Sequence, residues 1–255
     1  MIKGLARYFY RRKYTRAAIT FIRMIFFVKL SKKMKITDKK LDHVSENTLL
    51  SNKRRVVADP ELPSHPTARN LFGLDLDVVG GKSQRFLDFL KLYDDKLEDK
   101  KVLIIGPRNE AEIFTFAGSG LDTKNIIAVD LFTYSPKIQV MDMHELEFGN
   151  GIFDVVYAGW VISYSEKRSL AISEMMRVLK PGGLVGVTAT LAKASNDDLI
   201  AKRGYMIGSK DRIQDVDSLV DLFQDQGHAG KVVFRSTSKE FAVSTAGMVC
   251  YEKNF

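Results

Sequence analysis

Cysteine is nearly absent from this chain of 255 residues, in which Cys250 stands alone. One thiol builds neither a disulfide framework nor a Cys-based metal site, and the scarcity suits a reducing compartment. His43, His65 and His228 share no metal-ligand spacing, so no metal site is expected. Long apolar runs are missing too. The most apolar stretch, residues 17–30, is interrupted by Arg23 and Lys29, whereas a spanning helix needs roughly 20 mostly apolar residues. The basic stretch before it is long and no small-residue cleavage site follows, which speaks against a signal peptide. Internal repeats and low-complexity tracts are absent as well.

What is present is an ordinary globular composition, 45% hydrophobic and 27% charged. The length fits one large α/β domain with an appendage, or at most two domains. The net charge of +8 is uneven. Residues 1–40 hold 13 Lys or Arg against the single acid Asp38, a charge of +12, which leaves −4 for the remainder. A basic nucleic-acid-binding domain is therefore disfavoured, because its footprint should lie on the folded surface.

Residues 1–40 form a basic arm. Ile19, Ile22, Phe26 and Leu30 recur at helical spacing, with Arg16, Arg23 and Lys29 off that stripe. Such a helix suits an anionic membrane surface, engaged through residues 1–35. The alternative is a helix that docks on its own domain or on a second subunit. The expected location is the cytoplasm, with a peripheral place on the inner face of a membrane if the arm binds lipid. Oligomeric state is open.

Residues 41–99 read as a connecting and capping segment. Pro60, Pro63 and Pro66 break helices, and Gly80-Gly81 marks a turn. Ser83 is expected to cap a helix carrying Phe86, Leu87, Phe89, Leu90 and Leu97.

From residue 100 to 255 the pattern alternates. Val102-Leu103-Ile104-Ile105 is a short apolar run, as for a strand buried on both faces, and Gly106-Pro107 ends it. A helix over 111–118 and a second strand over 126–129, closed by Asp130, complete a βαβ unit. Strands are expected over 138–141, 153–157 and 184–189, with a helix over 167–179 stopped by Pro181-Gly182-Gly183. A helix near 216–223 and late strands over 231–236 and 247–252 follow. The expected fold is a doubly wound, Rossmann-like, mostly parallel α/β sheet with a C-terminal antiparallel strand pair.

Ligands of such sheets bind at the carboxyl ends of the strands. Gly106, Asp130 and Asp142 all fall at that edge. A glycine lets backbone approach a ligand, and the helix that follows offers N–H groups to an anion. Asp130 can accept two ribose hydroxyls. Asp142 can accept an adenine amino proton, with Met143 packed on the ring. Each also admits a plain structural role: a turn glycine, a solvated turn acid, or a cap for residues 144–147.

The runs Val102–Gly106, Val129-Asp130, Asp142-Met143-His144-Glu145-Leu146-Glu147-Phe148, Phe153–Val156 and Met176–Gly183 resemble those of class I S-adenosylmethionine (SAM)-dependent methyltransferases. The resemblance is closest to the small-molecule group (methyltransferase type 11) and spans about residues 101–189. It implies Gly106 beside the methionine part of SAM, and Asp130 on the ribose with Leu131 near the adenine. It implies Asp142 and Met143 at the adenine, and Ala158-Gly159-Trp160 lining the pocket. Ser163 and Tyr164 match positions that often face the acceptor.

The first motif departs from that pattern. Ile104 stands where the family has an acid, and Arg108 and Glu110 where it has glycines. One reading has Arg108 pair with the carboxylate of the methionine part and Glu110 with its ammonium. In the other, the loop has drifted and the protein is a non-catalytic binding or scaffolding protein at a membrane surface. As an enzyme, the chain would transfer methyl to an oxygen or carbon of a small-molecule, sugar or lipid-linked acceptor. No Asp-Pro-Pro-Tyr segment follows the fourth strand, which disfavours amino groups of nucleic-acid bases. Tyr164 would orient the acceptor and His144 is a weakly defined base; each has a plain alternative, core for Tyr164 and surface for His144. A nicotinamide oxidoreductase is the remaining class, but it would want Gly-x-Gly-x-x-Gly where this chain has Gly-Pro-Arg-Asn-Glu-Ala.

Overall fold

A computed structural model describes residues 35–36 and 81–255, except 108–109, 134, 204–207, 210 and 239–243. Most of the basic arm and of the connecting segment therefore lies outside the described residues. Residues 35–36 pair antiparallel with 132–133.

The main sheet has seven strands: β1 Val102–Ile105, β2 Ile126–Asp130, β3 Gln139–Val140, β4 Phe153–Gly159, β5 Leu179–Leu191, β6 Gly230–Thr237 and β7 Thr245–Lys253. Their spatial order is β3-β2-β1-β4-β5-β7-β6. The first five run parallel, and β7 is antiparallel to both β5 and β6. All four residues of β1 are buried, which explains why it is apolar throughout instead of alternating.

Side chains alternate between two cores. Leu103, Ile105, Val129, Val156, Val185 and Val187 face one layer with helices α3 (Arg168–Val178) and α5 (Val216–Gln224). Val102, Ile104, Ala128, Val155, Tyr157 and Leu184 face the other with α1 (Gly81–Tyr93) and α2 (Glu110–Gly118). Helices on both faces make the sheet doubly wound. Phe86 of α1 is fully buried and stacks on Tyr157 with ring centroids 4.7 Å apart. It fits because Gly186 of β5 has no side chain: a Cβ there would lie 2.2 Å from Phe86 Cε2. Burying a phenylalanine stabilises by about 1.5–3 kcal/mol, so α1 is part of the domain core.

Some local expectations shift. Ser83 does not cap α1; the helix opens two residues earlier at Gly81, and Ser83 is buried inside its first turn. The third strand is only two residues long. Pro181-Gly182-Gly183 does not separate helix from strand: β5 already begins at Leu179 and carries the segment as a bulge. Leu179 pairs with Phe153 and Leu184 with Val155, so the intervening residues loop out against one on β4. A further helix, α4 Asn196–Arg203, had no clear periodic signal.

Candidate functional site

The parallel register sets the carboxyl ends of β3, β2, β1 and β4 level. Val140 pairs with Asp130, while Val129 and Ala158 both pair with Ile105. Gly106, Asp130, Leu131, Asp142, Met143 and Gly159 are thereby gathered along one edge. Gly106 leaves β1 with φ +74°, and its N–H donates to the Val129 carbonyl at 2.8 Å. A Cβ added there would sit 1.9 Å from Val161 Cγ1. Glycine is thus required twice over, by the left-handed backbone and by the loop after β4.

Asp130 and Leu131 are half-buried, and the Asp130 carbonyl accepts from Met141 N–H at 2.9 Å. Asp142 and Met143 are buried. Asp142 Oδ1 accepts from the His144 backbone N–H at 3.0 Å, so the acid does close the turn into 144–147. The same oxygen lies 2.7 Å from His144 Nδ1, and His144 Nε2 lies 2.6 Å from Ser165 Oγ. His144 is therefore not a surface histidine; it is 4% exposed.

Arg108 lies outside the described residues. Glu110 opens α2, is buried, and accepts from Ser135 Oγ at 2.7 Å, which ties it to the turn after β2. Two residues on, a helix has turned by about 200°, and Glu112 faces β4 instead. A Cβ on Gly159 would come 3.2 Å from Glu112 Oε1. Burial, and then the nearby Glu112 carboxylate, push the Tyr157 hydroxyl well above its ordinary pKa, so it stays protonated. Glu112, Asp130 and Asp142 put three carboxylates along one edge, a field suited to a cationic ligand.

Beyond β4 the backbone is strained. Trp160 has φ +68° and is the only non-glycine residue with positive φ among the described residues. Its N–H is held by the Thr188 carbonyl at 2.9 Å and Thr188 Oγ1 at 3.1 Å. Its indole Nε1 is buried without a hydrogen-bond partner. A strained residue with an orphaned donor marks a place that a ligand can complete. Ser163 Oγ accepts from Thr190 N–H at 3.1 Å, and half-buried Tyr164 follows it. The buried Arg168 donates to the Ile162 carbonyl, Ser209 Oγ, Asp211 Oδ2 and the Asp211 carbonyl, holding Ser209 and Asp211 over this turn. Burial lowers the Arg168 pKa, opposed by Asp211.

Glu112, Val161, Ser165 and Arg168 were not singled out from sequence. Helical phase puts Glu112 and Glu110 on different faces of α2 but does not say which face meets the sheet edge. The other three have no local signal, because a lone buried arginine or serine reads like a solvated one until its distant partners are known. Among the described residues no group of three His, Cys, Asp or Glu could hold a metal, and no helix is long and apolar enough to cross a membrane.

Residues 116–187 match the family described as "Methyltransferase domain". No curated protein matches the chain in sequence. Among solved structures, the Burkholderia thailandensis 1,6-didemethyltoxoflavin-N1-methyltransferase, with 1,6-didemethyltoxoflavin and S-adenosylhomocysteine bound, superposes with a TM-score of 0.58 at 12% identity, covering 87% of this chain and 95% of its own. The MccD protein gives a TM-score of 0.51 at 10% identity, over 66% of this chain and 96% of its own. An N-methyltransferase from Haemonchus contortus, in complex with phosphomonomethylethanolamine and S-adenosylhomocysteine, gives 0.50 at 15% identity, over 74% and 57%. The fold is the Rossmann-like fold of these methyltransferases.

Proposed function

We propose that this class I methyltransferase domain binds S-adenosylmethionine along the β3-β2-β1-β4 edge and methylates a small molecule. The observation that carries the reading is the convergence of Gly106, Asp130 and Asp142 on that edge. The residues fit the group. Gly106 leaves no room for a side chain and brings bare backbone to the edge. Asp130 is assigned to the ribose hydroxyls and Asp142 to the adenine amino group, with Leu131 and Met143 against the ring. Glu112 faces Gly159 and supplies a carboxylate for an ammonium, a task the sequence had pointed to Glu110, whose carboxylate is engaged by Ser135. Arg108 is assigned to the carboxylate of the methionine part, and the orphaned Trp160 indole N–H offers a second donor.

Bound there, the cofactor supplies a methyl group already activated on a sulfonium. The chain's residues have to orient an acceptor in line and hold its proton. Tyr164, beside the Arg168-clamped turn, is assigned that orientation. His144 suits the base role less well, because both ring nitrogens are engaged within the protein. An oxygen or carbon of a small-molecule, sugar or lipid-linked acceptor is the assigned target.

Isothermal titration with SAM and with S-adenosylhomocysteine tests the reading. Saturable heat at micromolar ligand is expected; none at millimolar ligand overturns it. Transfer of labelled methyl from SAM to a panel of such acceptors then separates an enzyme from a non-catalytic binder. The charge of +12 on residues 1–40 favours an anionic membrane surface as a partner of residues 1–35. Co-sedimentation with phosphatidylserine vesicles, lost on deletion of residues 1–35, is the expected outcome.

A further inference from the structure

Three buried polar side chains form a continuous chain between the third strand and the turn after the fourth. Asp142, His144 and Ser165 are 4%, 4% and 0% exposed. The links are short: 2.7 Å from Asp142 Oδ1 to His144 Nδ1, and 2.6 Å from His144 Nε2 to Ser165 Oγ. Their proton arrangement follows from the groups. A carboxylate only accepts, so Nδ1 carries the proton and donates to Asp142. In the neutral ring Nε2 is then an acceptor, and the Ser165 hydroxyl donates to it. Ser165 Oγ in turn accepts the Lys167 backbone N–H at 3.0 Å.

We infer that His144, held by Ser165, is a positioning residue that sets the purine specificity of the cofactor pocket by immobilising the Asp142 carboxylate. The inference rests on the assignment of Asp142 to the adenine amino group. Asp142 Oδ1 takes two donors from one residue, the His144 backbone N–H and ring N–H. A carboxylate pinned at one oxygen cannot swing about its own axis. It meets an exocyclic amino group as an acceptor, but it cannot re-aim toward the ring N–H of a purine that carries a carbonyl at that carbon. Ser165 matters because it stops the imidazole from rotating, as the outer partner of a ligating histidine does. Burial of all three excludes the water that would otherwise compete.

The chain also has a consequence for the acceptor side. Ser165 directly follows the Ser163–Tyr164 turn, whose Ser163 hydroxyl anchors β5 through Thr190 N–H. The Ser165 end of the polar chain therefore adjoins in sequence the turn assigned to the acceptor.

The test compares equilibrium binding of S-adenosylhomocysteine with that of S-inosylhomocysteine, which carries a carbonyl in place of the amino group. The full chain is used as wild type, His144→Gln, His144→Asn and Ser165→Ala. Wild type is expected to prefer the adenine compound by about tenfold or more, because the wrong partner leaves buried acceptors facing each other. His144→Gln loses the ring donor and keeps only the backbone N–H on Asp142 Oδ1; it is expected to bring the preference to within about threefold, as a carboxylate held by one donor instead of two can turn toward the ring N–H of hypoxanthine. Asparagine can retain the donor toward Asp142, so His144→Asn is expected to keep more of the preference than His144→Gln. Ser165→Ala removes one oxygen from a fully buried site and is expected to reduce the preference about threefold. General destabilisation weakens both ligands alike and leaves their ratio unmoved. An unchanged ratio in both His144→Gln and Ser165→Ala overturns the inference. So does a wild type that binds both ligands equally. A wild type that binds neither ligand overturns the functional reading itself, which keeps the two failures apart.

Discussion

Replacing Gly106 by alanine is a severe perturbation for one methyl group, and its size follows from two separate features. The residue has φ +74°; holding an L-residue in the left-handed region costs about 1–2 kcal/mol. The new Cβ would also lie 1.9 Å from Val161 Cγ1, 3.0 Å from its Cβ and 3.2 Å from its Cγ2. Relieving such a clash in packed structure costs about 1–3 kcal/mol. The sum is about 2–5 kcal/mol, or about 5–15 °C in Tm for a domain of this size. The clash term is removable. In Gly106→Ala/Val161→Ala the closest approach relaxes to the Cβ at 3.0 Å, so the double variant should be less destabilised than the sum of the singles by about 1 kcal/mol or more. Thermal unfolding of the four proteins of this cycle, with S-adenosylhomocysteine titration on each, is the assay. S-adenosylhomocysteine affinity should fall in Gly106→Ala, since the backbone at the end of β1 has to move. Refutation would be a Gly106→Ala protein within about 1 °C of wild type, or singles that simply add.

Glu112→Gln should weaken SAM and S-adenosylhomocysteine about three- to tenfold by titration, since the half-buried side chain brings Oε1 to 3.2 Å of a Cβ built on Gly159 at the end of β4; equal binding would remove Glu112 from the site. Trp160 is the chain's single tryptophan, so saturable S-adenosylhomocysteine binding should change its intrinsic emission, and Trp160→Phe should lower affinity by removing the orphaned donor; an emission blind to saturating ligand argues against its place at the edge. Gly186→Ala should cost about 1–3 kcal/mol by displacing Phe86, read as a lowered denaturation midpoint. The fourth concerns acid. Hydrogen bonds from Arg177 hold the Glu174 carboxyl below its ordinary range, against burial and with help from Leu146 N–H. Because the folded pKa lies below the unfolded one, this stabilisation is full above the usual carboxylate range and fades as pH falls through the folded value. Glu174→Gln should therefore flatten the loss of stability between about pH 5 and pH 3 in urea titrations; an identical slope would exclude Glu174 as a source of acid sensitivity.

The resemblance segment around Met176–Gly183 illustrates how a legible motif can hide its physical reason. Arg177 donates to the Leu146 and Phe148 carbonyls, to Asn150 and to Glu174, so it secures the loop that leads from Asp142 into β4. Lys180 reaches Asp154 at 2.8 Å across the bulge. The pattern was readable in sequence, but its reason lies in partners some thirty residues away.

The sequence alone determined the alternation of short apolar runs with helical stripes, and with it a doubly wound, mostly parallel sheet whose carboxyl edge holds Gly106, Asp130 and Asp142. That much is local physics: periodicity, turn residues and buried strands read directly from side-chain order. Only the tertiary structure decided which acid of α2 faces the edge, because Glu110 and Glu112 differ by helical phase and not by chemistry. It alone made Val161 the reason for Gly106, gave Trp160 its left-handed backbone, and turned an exposed-looking His144 into the buried middle of a chain to Ser165. Each of these depends on segments distant in sequence meeting at the end of the sheet, where strand register brings them level and no single segment carries the information.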